Sequence, residues 1–252
     1  MIPCQKTKKD RPVAVDVVGA FMPLTYVVTG ANRGIGLQMA KRVLTLGHHL
    51  VAICRQPDTA HELSALVKAS NGFATLFAAD VCDAQALADI AHGLDHSVDV
   101  LVCNAGVMSA RGGISDQGND AASISTALMT NVASPFFTAR AFLGALNRSS
   151  APRIAIISSL MGSQQHQGTS AYFYRASKAG ANNIMVSLSN ELQPQGIAVA
   201  SFHPGWVRTD MGGDHADISP EESAHGLVQQ FESMSMAQTG RFFNYDGKPL
   251  PM

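Results

Sequence analysis

The sequence predicts an α/β fold in which helices cover both faces of a doubly wound, parallel, seven-stranded sheet. Short apolar, β-branched runs alternate with longer helical patterns from residue 24 to the C-terminus. Most of these runs are apolar at successive positions, as strands buried on both faces are. A glycine-rich turn joins the first run to the first helix. The 252 residues, 46% hydrophobic and 15% charged, match one large domain of this class.

The predicted elements alternate strictly along the chain. The strands are predicted at 24–29, 49–54, 74–79, 98–103, 153–158, 197–202 and 241–245. The helices are predicted at 34–46, 59–70, 84–92, 123–147, 172–192 and 220–232. No internal repeat or low-complexity tract interrupts this order. We therefore expect one domain over residues 24–252.

Composition excludes several classes of partner. A net charge of -1 gives no long-range attraction to nucleic acid or to an anionic membrane surface. No apolar run reaches the ~18 residues needed to span a bilayer.

The four cysteines lack CxxC spacing, and three of them end apolar runs, which indicates buried free thiols in a reducing, cytoplasmic compartment. No metal-ligand spacing is present, so no metal site is predicted.

Residues 1–23 differ from the rest of the chain. A basic, polar stretch is followed by a mildly apolar one, without a signal-peptide core. Asp10 and Asp16 argue against a transit peptide. We expect a loosely ordered N-terminal extension, with Met22 as a possible alternative start directly before the first strand.

The turn after the first strand reads TGANRGIG from Thr29 to Gly36. Glycines allow the backbone to approach a pyrophosphate, and the amides at a helix start carry the positive end of the helix dipole. An ordinary glycine turn is the alternative, although the position between strand and helix favours nucleotide binding. The candidate cofactor residues here are Gly30, Asn32, Arg33, Gly34, Ile35 and Gly36.

Two further strand ends carry polar or small residues at the same predicted edge of the sheet. The fourth strand is followed by Asn104, Ala105 and Gly106, where a dinucleotide could lie across the strand end and the Asn104 side chain could hold the turn. The fifth strand ends in Ser158 and Ser159, and a hydroxyl there could donate to a substrate oxygen. Each segment, taken alone, could also be an ordinary loop or cap.

Tyr174 and Lys178 are four positions apart on a predicted helix and therefore share one face. A nearby ammonium favours the phenolate, so we expect Lys178 to move the pKa of Tyr174 from about 10 toward neutrality. That suits general acid or base catalysis near pH 7. Tyr172 has Ala176 at the matching position and lacks such a partner. This spacing also occurs by chance on solvated helices.

These motifs together resemble the classical short-chain dehydrogenase/reductase family over residues 24–252. They are the TGxxxGxG turn, the Asn-Ala-Gly segment, the strand-five serine and the YxxxK pair, in the family's order and spacing. The segments 174–179, 203–213 and 240–247 are most similar to the carbonyl-reductase-like branch that includes the C-factor proteins. The resemblance implies a Rossmann fold.

The resemblance implies catalytic roles for four residues. Tyr174 would be the proton donor to a carbonyl oxygen, and Ser159, the second of the serine pair, would hydrogen-bond that oxygen. Lys178 would lower the pKa of the tyrosine and hold the nicotinamide ribose. Asn131 would seat a water molecule in the proton relay.

Cofactor choice is predicted from charge. Enzymes that prefer NAD usually carry an acid after the second strand, where this chain has Arg55. Arg55 and Arg33 could bind a 2′-phosphate with charge-assisted hydrogen bonds, which predicts NADP(H), although either arginine could simply be solvated. The resemblance adds contacts to adenine and nicotinamide at Asp80, Val81, Pro204, Gly205, Val207 and Thr209.

The predicted function is NADPH-dependent reduction of an aldehyde or ketone, or oxidation of the corresponding alcohol. A non-enzymatic NADP(H)-binding signalling or sensor protein of the C-factor type is the alternative. A nucleotide-sugar epimerase or dehydratase is disfavoured, because such relatives carry an extra substrate domain. The expected partners are a small carbonyl or alcohol substrate and a second copy of the chain. The homodimer or homotetramer would form through the helices near 123–147 and 172–192.

Three loops should border the substrate, at 108–118, 160–173 and 210–219. Ser159 and Tyr174 are 15 residues apart, about two more than is usual in the family, which indicates a short insertion within 163–169. The glycine-rich loop 210–219 lacks apolar periodicity and could be a mobile lid. His203 and His215 have no pairing residue and are interpreted as structural or solvated.

Overall fold

The computed structural model describes residues 22–252. Residues 1–21, most of the expected N-terminal extension, lie outside the described part of the chain. The seven strands are β1 Thr25–Thr29, β2 His49–Cys54, β3 Ala74–Ala78, β4 Val100–Cys103, β5 Arg153–Ile157, β6 Ala198–His203 and β7 Phe242–Asn244. The α-helices are α1 Gly34–Thr45, α2 His61–Ala69, α3 Ala84–His92, α4 Ala121–Leu128, α5 Ser134–Leu146, α6 Tyr172–Leu192 and α7 Pro220–Ser233.

The strands form one sheet in the order β3-β2-β1-β4-β5-β6-β7, and every pairing is parallel. The predicted doubly wound, seven-stranded sheet is confirmed. Strand order reverses at β1, where Tyr26 pairs with Leu50 on one side and with Val100 on the other. In such sheets the crevice beyond the carboxyl ends of the strands at this reversal is where ligands bind.

The core consists of two layers, one on each face of the sheet. Neighbouring strand residues alternate between them, so that Val28 belongs to the layer with residues of α1, α2 and α7, and Val27 to the layer with residues of α3, α5 and α6. In the first layer Phe202 meets the edge of Phe231 at a ring-centroid distance of 5.1 Å. Both faces of the sheet are therefore covered, which explains the nearly continuous apolar strands in the sequence.

One predicted helix, 123–147, is divided in the structure. Residues Met129–Ala133 form a π-helical turn between α4 and α5. Pro135 lies at the start of α5 and has no N–H to donate to the carbonyl of Asn131, four residues earlier. The regular α-helical pattern is thereby interrupted beside Asn131, and such π-turns are frequent at functional sites.

Candidate active site

The turn after β1 is built by glycines that have no room for a side chain. Gly30 has φ +65°, and a Cβ added there would lie 2.9 Å from the Cα of Ala105. A Cβ added at Gly36 would lie 2.2 Å from the carbonyl oxygen of Gly30. Only glycine lets β1, the start of α1 and the segment after β4 approach this closely.

Asn104 ties the ends of β1 and β4 together. Its Nδ2 donates to the carbonyl oxygens of Thr29 at 2.9 Å and Gly30 at 3.1 Å. The Thr29 hydroxyl accepts from the amides of Asn104 and Ala105 at 3.0 and 3.1 Å. The predicted role of Asn104 in holding this turn matches these contacts.

The start of α1 meets the requirements of a pyrophosphate site. Its N-cap residue Arg33 makes no side-chain cap hydrogen bond, and the first turn contains no acid. The amides of this turn are therefore not capped by a side chain and lie at the positive end of the helix dipole. Asn32 and Ile35 are half-buried around the same turn. The glycine cradle and these amides fit a dinucleotide.

The two arginines predicted to select the cofactor differ in their surroundings. Arg33 Nη1 donates to Asp210 Oδ2 at 2.7 Å, in an exposed ion pair with the loop after β6. Arg55 is exposed, and within residues 22–252 it makes no hydrogen bond or ion pair. The carboxylate of the exposed Asp80 accepts from the amide of Cys82 at 2.9 Å, and Val81 between them is buried.

The segment after β6 reaches back to the cofactor turn. Gly205 has φ +85°, and an added Cβ would lie 2.5 Å from Ile218 Cδ1. Val207 is buried and pairs with Ile218. A Cβ added at Gly34 would lie 3.3 Å from Thr209 Cγ2, so Thr209 lies against the glycine turn. Separately, the carbonyl oxygen of Pro204 accepts from Ser223 Oγ at 2.6 Å.

The loop 210–219, expected as a mobile lid, is anchored at several points. Trp206 Nε1 donates to the carbonyl oxygen of Gly212 at 2.9 Å. Arg208 Nη1 donates to the carbonyl oxygens of Ala216 and Asp217, each at 2.9 Å. These side chains bond carbonyl groups outside regular secondary structure, which a search for apolar periodicity does not detect.

The two serines after β5 have different surroundings. Ser158 is buried, and its hydroxyl donates to the carbonyl oxygen of Lys178 at 3.2 Å. Ser159 is buried too, but its hydroxyl accepts from the amide of Met161 at 3.2 Å and hydrogen-bonds Tyr174. Ser158 therefore holds α6, whereas Ser159 lies beside the phenol.

Lys178 is buried beneath Tyr174. Its Nζ donates to the carbonyl oxygen of Ile157 at 2.8 Å and lies 5.8 Å from the centroid of the Tyr174 ring. Removal from water disfavours the ammonium form and lowers the pKa of Lys178 to about 8. At neutral pH the side chain still carries its positive charge.

The pKa of Tyr174 does not move in the predicted direction. Burial of the phenol raises the pKa above its ordinary value, while the hydrogen bond with Ser159 and the charge of Arg111 partly oppose that rise. The expectation that Lys178 brings the pKa of Tyr174 toward neutrality is therefore wrong for this structure. Burial disfavours the phenolate more strongly than its neighbours favour it.

Arg111 is the residue near the phenol that sequence reasoning missed. It lies in the loop after β4 and makes a 2.6 Å hydrogen bond from Nη2 to the carbonyl oxygen of Met211. No motif contains Arg111, and the predicted substrate loop 108–118 was the one available indication.

Asn131 braces the backbone between β4 and α6. Its Nδ2 donates to the carbonyl oxygen of Val107 at 2.8 Å and to Ser177 Oγ at 2.9 Å. Its Oδ1 accepts from the amide of Val107 at 2.9 Å. A Cβ added at Gly106 would lie 3.3 Å from Asn131 Oδ1 and 3.4 Å from Lys178 Nζ. The structure thus brings together Asn131, Lys178 and the Asn-Ala-Gly segment.

His203, interpreted from the sequence as structural or solvated, is half-buried. Burial lowers the pKa of His203 to about 4, and its Nδ1 has no hydrogen-bond partner among the described residues.

Residues 22–252 contain no group of three or more His, Cys, Asp or Glu side chains placed to hold a metal ion. Within the same range, none of the helices combines the length and apolar character needed to cross a bilayer.

Comparison with known proteins identifies the family. The sequence profile of the short chain dehydrogenase family matches residues 25–218. C-signal of Myxococcus xanthus is 36% identical over 155 residues, which cover 61% of this chain and 92% of that protein. Among solved structures, carbonyl reductase Sniffer of D. melanogaster matches with a TM-score of 0.86 and 31% identity, covering 92% of this chain and all of the other.

The NADPH-bound carbonyl reductase from chicken fatty liver matches with a TM-score of 0.84 and 30% identity, over 92% of this chain and all of that one. The sequence profile covers most of the described residues. The resemblance predicted from the four motifs is confirmed, and the chain belongs to the short-chain dehydrogenase family.

Proposed function

We propose that this protein is an NADPH-dependent oxidoreductase that reduces an aldehyde or ketone, the reverse reaction being oxidation of the alcohol. The observation that carries this proposal is the buried cluster of Ser159, Tyr174 and Lys178 at the carboxyl edge of the sheet. The cluster adjoins the glycine turn through Gly106, which lies against Lys178. NADPH in the chicken carbonyl reductase and the names of the solved neighbours support the same reaction class.

The cofactor would be held by this chain's own backbone and charges. The glycine turn and the uncapped start of α1 would bind the pyrophosphate, and Arg33 with Arg55 would bind the 2′-phosphate. Asp80 and Val81 would lie at the adenine, and Pro204, Gly205, Val207 and Thr209 at the nicotinamide. NADPH supplies the hydride when it is bound, and Lys178 would hold the nicotinamide ribose.

Proton transfer would be the task of Tyr174. Its raised pKa keeps the phenol protonated at neutral pH, so that it can donate to the oxygen of a carbonyl substrate. The neighbouring Ser159 would hydrogen-bond that oxygen as negative charge develops on it. We therefore propose reduction as the faster direction near pH 7, because alcohol oxidation requires the phenolate.

Asn131 would act as a positioning residue in this reaction. Its side chain is occupied by Val107 and Ser177, so a water molecule of the proton relay would be bound through its backbone carbonyl. Pro135 cannot donate to that carbonyl, which leaves the oxygen without its normal α-helical donor.

The test is turnover with a panel of aromatic and aliphatic aldehydes and ketones. We expect NADPH oxidation to depend on the carbonyl compound, and deuterium from 4-deuterated NADPH to appear on the carbon of the product alcohol. NADPH binding without turnover of any panel member would contradict the proposal. It would favour the alternative of a non-enzymatic NADP(H) sensor, for which the similarity to C-signal is the supporting observation.

Cofactor preference has its own test at Arg55. Arg55→Asp places a carboxylate where the 2′-phosphate would lie, and we expect the ratio of kcat/KM for NADPH over NADH to fall by roughly 100-fold. The measurement is initial rate against concentration of each cofactor. An unchanged ratio would refute the assignment of Arg55 to the 2′-phosphate.

Self-association through the helices near 123–147 and 172–192 stays a prediction from the sequence. Leu128, Met129 and Phe136, which lie between α4 and the start of α5, have 41%, 41% and 37% of their surface exposed. We propose that a second copy of the chain covers them, in a homodimer or homotetramer.

A further inference from the structure

The backbone of Arg111 is fixed to the start of the catalytic helix. The amide of Ala171 donates to the carbonyl oxygens of Arg111 at 3.1 Å and Gly112 at 3.0 Å. Ala171 is the N-cap of α6 and has the left-handed values φ 51°, ψ 43°. An alanine adopts this conformation only where its surroundings enforce it. Arg111 is therefore held in a defined position relative to Tyr174, three residues beyond Ala171.

The side chain of Arg111 joins two substrate loops. Its Nη2 donates to the carbonyl oxygen of Met211 at 2.6 Å, which connects the loop after β4 with the loop after β6. The charge of this guanidinium favours the Tyr174 phenolate. The cation therefore lies near enough to the phenol to act on its ionisation.

No carboxylate neutralises Arg111 within residues 22–252. The ion pairs of that range involve other basic residues. Asp116, an acid in the same loop, is held by the amides of Gly112 at 2.7 Å and Gly118 at 2.9 Å. A guanidinium has five N–H donors, and the hydrogen bond to Met211 uses one of them. Among the described residues the other four have no hydrogen-bond partner, so they can bind a ligand.

Exposed apolar side chains lie in the loop of Arg111, at the start of α6 and before the loop that Arg111 contacts at Met211. Ile114, Tyr172 and Trp206 have 87%, 40% and 51% of their surface exposed, and each lies in or directly beside one of the three substrate loops. An unpaired guanidinium on loops that also carry exposed apolar side chains suits a ligand with an apolar body and a negatively charged end. A planar carboxylate is the anion that an arginine fork binds in bidentate fashion.

We propose that Arg111 determines substrate specificity by binding a carboxylate of the substrate, so that the protein prefers carbonyl compounds that carry a carboxylate on an apolar body. This inference rests on the proposed carbonyl reduction and adds the substrate class. Arg111 would hold the far end of the substrate while Tyr174 and Ser159 act on its carbonyl group.

The test compares 4-carboxybenzaldehyde with its methyl ester, methyl 4-formylbenzoate, which has the same body without the charge. With the full chain and NADPH, we expect a higher kcat/KM for the carboxylate. Arg111→Gln should lower that value by roughly 10-fold to 100-fold, mainly through KM, and leave the ester within about 3-fold. Arg111→Lys should recover part of the preference, because lysine keeps the charge without the fork.

Arg208→Gln is the matched control, since Arg208 also donates to carbonyl groups of the loop 210–219. It should change the rates with both aldehydes by the same factor. Equal kcat/KM for the two aldehydes in the wild-type protein would overturn the inference. An equal loss with both aldehydes in Arg111→Gln would overturn it too, because Arg111 would then act only on the loop.

Ligand binding separates this inference from the proposed reaction. Calorimetric titration of the NADPH-loaded protein with 4-(hydroxymethyl)benzoate, against its methyl ester, reports on Arg111 without turnover. Binding of the carboxylate that is weakened by Arg111→Gln supports the inference even if neither aldehyde is reduced, an outcome in which the proposed function fails. Turnover combined with charge-independent binding would overturn the inference and leave the proposed function standing.

Discussion

The two sides of the active-site crevice are built in different ways. On the cofactor side, backbone meets backbone at Gly30 and Gly36, in contacts too close for any side chain. On the substrate side, the loops are joined by long side chains that donate to loop carbonyl groups, as Arg111, Trp206 and Arg208 do. The first side is fixed by steric exclusion and the second by hydrogen bonds worth about 1 kcal/mol each.

Under the proposed function, this difference separates the part of the site that binds the cofactor from the part that selects the substrate. A backbone cradle admits no substitution without moving the sheet, so it suits a cofactor that stays the same. Loops held by side-chain hydrogen bonds tolerate substitution more readily, so they suit the part of a site that determines substrate specificity. Tyr174 and Lys178 lie where the two sides meet.

The largest expected effect is at that meeting point. Tyr174→Phe removes the proposed proton donor, and we expect kcat to fall by about 1,000-fold while the Kd for NADPH changes less than about 3-fold. Turnover and fluorescence titration measure the two quantities. Tyr172→Phe is the matched control, because it removes a phenol hydroxyl from the same helix turn but keeps the exposed ring, so this variant should keep its activity. Substantial turnover by the Tyr174 variant would show that another group supplies the proton.

The close backbone contacts on the cofactor side predict the second-largest effect, a loss of stability. Gly36→Ala forces a Cβ against the carbonyl oxygen of Gly30, and we expect a loss of about 3 kcal/mol in the free energy of unfolding. A Cβ at Gly168, on the substrate side, meets the Arg175 guanidinium at 2.7 Å, and that flexible group can move away. Gly168→Ala should therefore lose much less.

Urea denaturation of both glycine variants measures this contrast. Gly144→Ala is the reference, because an added Cβ in that helix contacts nothing within 4 Å and should stabilise by about 0.5–1 kcal/mol. Equal destabilisation at positions 36 and 168 would remove the distinction between the two sides of the crevice.

The same contrast explains how much the sequence could predict. The glycine turn, Asn104 and the position of α6 follow from spacing, because each depends on backbone geometry that few residues satisfy. Helix α6 has the predicted bounds 172–192. The elevated pKa of Tyr174 could not be predicted, since spacing reports the ammonium of Lys178 but not the burial of the phenol.

The contacts between loops could not be predicted from the sequence for a related reason. Arg111 meets Met211 across 100 positions of the chain, and the anchoring of the loop 210–219 depends on three-dimensional placement of single side chains. Pro135 is the one residue in the sequence that indicates the division of the predicted helix 123–147. A proline at this position is compatible with either a helix start or a kink.

Lys178 predicts a pH effect on stability. Its pKa is about 8 in the folded protein and about 10.4 in an unfolded chain, so the unfolded state binds more protons between these values. Stability should therefore rise as pH increases from 8 to 9.5, with a contribution from this residue of roughly 1 kcal/mol per pH unit. Lys178→Met should remove that contribution.

The measurement is the free energy of unfolding of both proteins at several pH values from 7 to 9.5. The difference between wild type and variant isolates Lys178 from the buried thiols of Cys54 and Cys103, whose raised pKa values act in the opposite direction. A difference that stays constant with pH would mean that Lys178 is not desolvated as the structure has it.

The smallest expected effect concerns the ion pair that crosses from one side to the other. Asp210 holds Arg33, so a 2′-phosphate bound as we propose would have to compete with the Asp210 carboxylate for the guanidinium. Asp210→Asn should tighten NADPH binding by about 2-fold to 5-fold and leave NADH binding unchanged, because NADH has no 2′-phosphate. The gain is small since the side chains are 65% and 80% exposed and the pair is weak in water.

Fluorescence titration with each cofactor at two salt concentrations measures this effect. Salt screens exposed charges, so the difference between wild type and Asp210→Asn should shrink as ionic strength rises. Asp214→Asn is the control, because Asp214 lies in the same loop and makes no ion pair within the described residues. If Asp210→Asn tightens the binding of NADH and NADPH equally, Asp210 affects cofactor binding through the position of the loop. The competition between Asp210 and the 2′-phosphate for Arg33 would then be wrong.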